Sequence, residues 1–252
     1  MKKLITILLL ITGIGSLSAQ QKINHTLRAE NNPDTLNWVD QTRKRLVPVA
    51  IYKPSNTSNG KVVILNHGYG SNEWGSFKAY SYLANYLASK GYTVVSIQHE
   101  LASDELLPTI GKPSEVRRPN WERGVQNILY VIIQLKKERP DLDYKRLNLV
   151  GYSNGGDMVM LFATEHPELV AKVISLDNRR MPFPRINKPV IYSLRSVDQP
   201  ADEGVIPNRE EQQKLGIKVV NLKNTTHNEM DDHGNDYQKA EINSLVLEFL
   251  IN

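Results

Sequence analysis

A serine flanked by glycines lies at the centre of residues 148–167, which read NLVGYSNGGDMVMLFATEHP. An apolar run ends at Val150 and a helical pattern begins near Gly155, so Ser153 occupies the corner between a predicted strand and a predicted helix. Glycine on each side removes the Cβ atoms that would collide in so sharp a turn. The stretch therefore predicts a serine held in a strained backbone conformation, with its hydroxyl exposed beside a helix N-terminus.

The segments around this corner alternate between strand-like and helix-like patterns. Apolar runs rich in β-branched residues predict strands at 47–52, 61–68, 92–100, 146–153, 171–177, 189–196 and 217–224. Helical spacing predicts further helices at 76–91, 121–138 and 236–251. Nearly continuous apolar strands that alternate with helices are typical of a mostly parallel, doubly wound sheet with helices on both faces. We therefore expect an α/β fold.

Residues 1–20, MKKLITILLLITGIGSLSAQ, combine two lysines, a short apolar run and small residues near the end. This order is typical of a bacterial secretory signal peptide. The apolar run is shorter than the ~20 residues that span a bilayer, and no cysteine follows that could carry a lipid. We expect removal of residues 1–20, export to the periplasm or the extracellular space, no stable membrane insertion, and a single domain over residues 21–252.

The composition excludes several classes of function. The chain has no cysteine, so it has neither a thiol nucleophile nor disulfides. Its formal net charge of +4 comes from dispersed basic residues, without the concentrated basic face of a nucleic-acid-binding protein. Residues 227–236, HNEMDDHGND, are rich in potential metal ligands, but their spacing matches neither the zinc helix nor the calcium loop. We expect no nucleic-acid partner, no metal and no cofactor.

A catalytic serine needs a base, which this order of elements places in a late loop. His227 directly follows the last predicted strand and precedes the last predicted helix, so it is the first choice, with His233 as the second. The acid that orients this histidine has three candidates that fit the chain order Ser, Asp, His. Asp198 comes soonest after the penultimate predicted strand and is the first choice, Asp202 in the same loop is the alternative, and Asp177 from the strand before stays open.

Two backbone amides are candidates for an oxyanion hole, the site that binds the negatively charged oxygen of a tetrahedral intermediate. Asn154 would begin the helix after Ser153, and the first amides of a helix have no intrahelical partner. Residues 66–70, NHGYG, follow an earlier predicted strand, and we expect the amide of Tyr69 to be the second donor.

Three motifs together resemble the α/β-hydrolase superfamily: NHGYG at 66–70, GYSNGG at 151–156 and TTHNEMDD at 225–232. Residues 40–54, DQTRKRLVPVAIYKP, are similar to the entry segment of secreted platelet-activating-factor acetylhydrolase-like and dienelactone-hydrolase-like members. The resemblance extends over essentially the whole predicted mature chain. It implies roles for the residues already singled out: Ser153 as nucleophile, His227 as base, Asp198 or Asp202 as acid, and the amides of Tyr69 and Asn154 as oxyanion donors.

Two features separate this chain from some of those relatives. Dienelactone hydrolases proper use a cysteine nucleophile, which this chain lacks, so their substrate is not expected here. Many relatives insert a helical cap before the penultimate strand, whereas only residues 178–188 intervene here, so we expect an open site without a large cap domain. The resulting expectation is a secreted serine hydrolase that cleaves small-molecule carboxylic esters through a Ser-His-Asp triad and an acyl-enzyme.

Two other functions fit the same pattern. A peptidase or amidase uses the same triad on a poorer leaving group, and a non-catalytic binding protein can retain the fold. A broken triad would favour the binding protein, and the sequence has every triad member available. The sequence leaves the oligomeric state open.

Overall fold

The computed structural model describes residues 32–55 and 57–252. The predicted signal peptide, residues 1–20, and the predicted domain start at residue 21 lie outside the described residues, so both stay predictions. The chain from residue 32 onwards belongs to one compact unit. Among the described residues, no helix is both long enough and apolar enough to cross a membrane.

The sheet has eight strands. They are β1 (Asp34–Asp40), β2 (Arg45–Tyr52), β3 (Lys61–Asn66), β4 (Thr93–Ile97), β5 (Asp143–Tyr152), β6 (Lys172–Leu176), β7 (Val190–Arg195) and β8 (Lys218–Asn221). Their spatial order is β1-β2-β4-β3-β5-β6-β7-β8. β2 pairs antiparallel with both β1 and β4, and every other neighbouring pair from β4 to β8 is parallel. The prediction of a mostly parallel sheet is therefore confirmed.

The α-helices are α1 (Ser81–Ser89), α2 (Pro113–Val116), α3 (Arg118–Glu138), α4 (Asn154–Glu165), α5 (Arg209–Leu215) and α6 (Asp236–Ile251). Single 3-10 turns lie at Ser76–Lys78, Pro167–Leu169 and His227–Glu229. The helix predicted at 76–91 is thus a 3-10 turn followed by α1. Strand β1 and helices α2 and α5 had no predicted counterpart; in β1, exposed positions outnumber buried ones, so it lacks the apolar run that marks the inner strands.

The alternation of side chains along the inner strands builds two cores, one on each face of the sheet. Val62 and Ile64 of β3 pack on one face with α3 and α4, whereas Val63 and Leu65 pack on the other with α1 and α6. Both faces of the sheet are therefore covered by helices, which explains why its inner strands are apolar at nearly every position.

The parallel strands β3, β5, β6 and β7 end at the same edge of the sheet, where open α/β sheets bind ligands. Their register pairs Asn66 with Gly151, Tyr152 with Leu176, and Leu176 with Leu194. The residues that follow these four strands are consequently brought side by side. Within the described residues, β6 and β7 are joined by an irregular loop without a helix, so no cap domain is inserted there.

Candidate active site

Ser153 occupies a strained corner between β5 and α4. Its backbone has φ 49° and ψ −115°, and its N–H donates to the carbonyl of Leu176 on β6 at 2.9 Å. A Cβ atom at Gly151 would lie 2.3 Å from the carbonyl oxygen of Gly155, and one at Gly155 would lie 2.2 Å from that of Asn66. Both glycines are required because backbone crosses backbone at this point, and Ser153 is half-buried at the turn.

His227 is the histidine that reaches Ser153. Its Nε2 lies 3.0 Å from Ser153 Oγ, and it begins the 3-10 turn that follows β8. Tyr152 supports it from behind, because the Tyr152 hydroxyl donates to the His227 carbonyl at 2.8 Å and the two rings lie 4.8 Å apart. His233, the second choice, is 85% exposed and contacts Asp231 instead. His227, rather than His233, therefore lies where the sequence predicts the base for Ser153.

The acid that contacts His227 is Asp177, not the first choice Asp198 or the alternative Asp202. The carboxylate of Asp177 lies 2.6 Å from His227 Nδ1. Asp198 accepts a hydrogen bond from the backbone N–H of His227 at 2.7 Å and does not contact the ring. Asp202 forms an ion pair with Arg180. The expectation that Asp198 or Asp202 orients the ring is therefore wrong.

The physical reason is the position of each carboxylate relative to the end of its strand. β6 ends at Leu176, so Asp177 is the first residue beyond it, where its backbone has φ 63°. β7 ends at Arg195, so Asp198 is the third residue beyond that strand. The apolar pattern predicts a strand that extends to Asp177, so the sequence alone does not show that this residue is the one closest to a strand end.

Three groups besides His227 stabilise the charge on Asp177. Ser196 donates its backbone N–H at 3.1 Å and its hydroxyl at 2.6 Å, and the guanidinium of Arg195 lies 2.9 Å from the carboxylate. Burial raises the pKa of Asp177, but the hydrogen bond from His227, the charge of Arg195 and the two Ser196 bonds outweigh it, so the pKa lies below its ordinary value. Asp177 is thus an ionised acceptor that keeps the Nδ1 proton of His227 facing it and leaves Nε2 free to accept.

The two predicted oxyanion donors lie beside this corner. Asn154 is the first residue of α4, so its amide belongs to the first turn of the helix and has no intrahelical partner. Tyr69 follows Gly68, where an added Cβ would lie 2.6 Å from the Tyr152 ring and 3.4 Å from Ser153 Cβ. The loop after β3 therefore runs directly against the serine. The Tyr69 side chain is held by the backbone N–H of Leu107, which donates to its hydroxyl at 3.0 Å.

The acidic segment after His227 has structural contacts that account for its charges. Asp232 accepts hydrogen bonds from the backbone amides of Ser81 and Tyr82 at 3.1 and 3.0 Å, and so caps the first turn of α1. Among the residues that the structure describes, no group of three or more His, Cys, Asp or Glu side chains could hold a metal ion. The absence of a metal and of a cofactor stays a prediction.

The sequence profile of the dienelactone hydrolase family matches residues 47–241. A segment of 46 residues is 48% identical to ethanol acetyltransferase 1 of Eremothecium cymbalariae, and it covers 18% of this chain and 13% of that protein. The chain therefore spans only a small part of this curated relative.

Solved structures with the same architecture include a serine hydrolase, an esterase and a peptidase. A lidless α/β serine hydrolase from Xanthomonas campestris superposes with a TM-score of 0.59 at 16% identity, over 87% of this chain and 94% of that one. Propionate-bound esterase 2 of Thermogutta terrifontis gives 0.60 at 14% identity, over 89% and 95%. The acylaminoacyl peptidase of Pyrococcus horikoshii gives 0.65 at 15% identity, over 92% of this chain and 43% of that one. At these identities the likeness shows the fold.

Proposed function

The chain belongs to the dienelactone hydrolase family and is a serine hydrolase of the α/β fold, and from this premise we propose that it cleaves small-molecule carboxylic esters. The observation that carries the proposal is the connected series Asp177–His227–Ser153, with contacts of 2.6 and 3.0 Å. Each group lies within hydrogen-bond distance of the next, which is the geometry of an activated serine. A binding protein that merely retained the fold would have no use for this alignment.

In the proposed acylation step, Ser153 Oγ attacks the acyl carbon while His227 Nε2 takes its proton. Asp177 stabilises the imidazolium that forms, because its carboxylate already accepts the Nδ1 proton. The oxyanion of the tetrahedral intermediate is bound by the amides of Tyr69 and Asn154. The intermediate collapses when His227 gives its proton to the leaving alcohol, and the acyl group remains on Ser153.

Deacylation repeats these steps with water as the nucleophile. His227 takes a proton from the water, which attacks the acyl-enzyme, and then returns the proton to Ser153 Oγ as the acid product leaves. The chemistry needs no group other than those of this chain, the ester and water.

The proposal includes export, because residues 1–20 have the sequence pattern of a secretory signal peptide. N-terminal sequencing of the protein recovered from the periplasm or the medium of an expressing bacterium should give a start near residue 21. Recovery of the full-length chain from the cytoplasm alone would contradict export and would leave the ester hydrolase assignment untouched.

A fluorophosphonate probe tests the nucleophile. We expect rapid labelling, with the modified residue located at Ser153 by mass spectrometry, and loss of both labelling and ester hydrolysis in Ser153→Ala by at least about 10⁴-fold in kcat. Ser55→Ala is the matched control, because Ser55 is exposed and follows β2 at the opposite edge of the sheet. Retained turnover in Ser153→Ala would overturn the assignment.

The preference for esters is tested with 4-nitrophenyl acetate and 4-nitroacetanilide, which carry the same acyl group on an oxygen or a nitrogen leaving group. We expect hydrolysis of the ester and little hydrolysis of the anilide. Efficient cleavage of the anilide would instead establish the amidase that the sequence also allows.

A further inference from the structure

A buried carboxylate that takes no part in the mechanism lies behind the oxyanion loop. Glu100 follows β4, and its side chain is 0% exposed. Its Oε1 accepts a hydrogen bond from the Asn154 side chain at 3.2 Å, while its Oε2 lies 3.6 Å from His67 Nδ1 and has no hydrogen-bond partner. Burying a carboxylate is costly, and burial raises the pKa of Glu100 against the opposing effect of His67. A carboxylate buried at this cost, between Asn154 and the loop that carries Tyr69, indicates a specific role.

The Asn154 side chain has a single allowed orientation. The indole N–H of Trp121 donates to its Oδ1 at 2.8 Å, and its Nδ2 donates to both Asn120 Oδ1, at 2.8 Å, and Glu100. An amide flip would set the Trp121 donor against an NH₂ group. These bonds fix the first residue of α4, and with it the direction of the Asn154 backbone amide.

His67 fixes the other amide. Its Nε2 accepts the backbone N–H of His99 at 3.0 Å, so its proton is on Nδ1, which lies 2.6 Å from the Gly68 carbonyl oxygen and donates to it. The Gly68 carbonyl and the Tyr69 N–H belong to one planar trans peptide and point in opposite directions. Holding the carbonyl toward His67 therefore sets the direction of the Tyr69 N–H.

We propose that Glu100 is a positioning residue of the oxyanion hole, because its carboxylate accepts a hydrogen bond from the Asn154 side chain and its negative charge lies against the His67 ring, and these two side chains orient the amides of Asn154 and Tyr69. The inference rests on the proposed function. Asn154 donates to Oε1, and the Nδ1–H of His67, although it donates to Gly68, lies 3.6 Å from Oε2. Both sides of Glu100 therefore face N–H groups, which the negative charge of a carboxylate stabilises and the NH₂ group of an amide would oppose on one side.

Glu100→Gln tests this role without changing the shape of the side chain. In either orientation its NH₂ group faces a donor, that of Asn154 or that of His67. We expect kcat for 4-nitrophenyl acetate to fall about 10-fold to 100-fold, less than the complete loss of one donor costs, with KM within about twofold. We also expect the inhibition constant of phenylboronic acid, which forms a tetrahedral adduct with the serine, to rise by about the same factor as kcat/KM falls.

The matched control is Asn148→Asp, another isosteric change of a buried polar side chain. Asn148 lies within β5, four residues before the strand ends at Tyr152, and donates to the carbonyls of Val62 and Arg146 at 3.0 and 2.9 Å. It should lower the melting temperature and leave both kcat and phenylboronic acid binding unchanged. Asn154→Ala keeps the backbone amide and removes the side chain that fixes its direction. If Glu100→Gln does not fold, Asn154→Ala is measured instead, and we expect the same fall in kcat.

The outcomes separate the two proposals. A folded Glu100→Gln with kcat and boronate affinity within twofold of wild type would overturn the role of Glu100 while the wild-type activity stands. An equal loss in Asn148→Asp would also overturn it, because the effect would then be one of general stability. A wild-type protein that neither hydrolyses the ester nor reacts with fluorophosphonate would overturn the proposed function itself, and this role with it.

Discussion

Replacing Asp177 by asparagine should remove the basicity of His227 while leaving the shape of the site intact. One Asp177 oxygen faces only donors, the Ser196 N–H and Arg195, whereas the other faces the His227 ring and the Ser196 hydroxyl, which can also accept. The NH₂ group of asparagine therefore turns toward His227. Nδ1 must then accept, and the ring proton moves to Nε2, facing Ser153. In this tautomer the ring cannot take the serine proton.

The expected loss is about 10⁴-fold in kcat, the value found when the corresponding aspartate of a serine protease triad is replaced in this way, which is about 5 kcal/mol of activation free energy. Asp198→Asn should cost far less, because an amide oxygen can still accept the backbone N–H of His227. Exchange of a charged for a neutral acceptor costs about 1 kcal/mol, or roughly fivefold. Asp202→Asn breaks only the ion pair with Arg180 at the surface and should stay within about twofold.

The assay is the initial rate of 4-nitrophenyl acetate hydrolysis by the three variants, with circular dichroism and melting temperature as controls for folding. Fluorophosphonate labelling rates should follow the same order, because labelling also requires an activated serine. Loss of activity in Asp198→Asn comparable with that in Asp177→Asn would refute the assignment. A folded Asp177→Asn variant whose kcat is within tenfold of wild type would also refute it.

Two further changes test the structure around the site. Gly155→Ala should lower the free energy of unfolding in urea by about 3 kcal/mol or more, since its Cβ would lie 2.2 Å from the Asn66 carbonyl oxygen. The control is Gly216→Ala, where φ is 68° but the space is open, and it should lower the free energy of unfolding by only about 1 to 2 kcal/mol. Equal losses in the two variants would contradict a steric role for Gly155. Burial raises the pKa of Asp157 from 3.8 to about 6, so the folded state binds this proton more tightly than the unfolded state, and stability falls as pH rises between these values. Asp157→Asn, which keeps the acceptor oxygen, should therefore be more stable than wild type at pH 8 by up to about 3 kcal/mol, and a gap that does not shrink toward pH 4 would show that the carboxylate is not the cause.

The sequence by itself determined the elements whose signals are local. Apolar runs along successive strands required a sheet buried on both faces, and the glycines around Ser153 required a sharp turn from strand to helix, because only that turn brings backbone so close to backbone. His227 was identifiable for a similar reason, since only it and His233 among the histidines stand between the last strand and the last helix, and His227 comes first after the strand.

Only the tertiary structure decided which carboxylate meets His227 and what surrounds the oxyanion loop. Asp177, Asp198 and Asp202 all follow the correct strands, and the choice among them depends on where β6 and β7 end and on which way each side chain points. The position of Glu100 between His67 and Asn154 likewise joins the ends of three strands that are distant in the chain. Contacts of this kind depend on register and side-chain direction across the sheet, which the local pattern of a single segment does not contain.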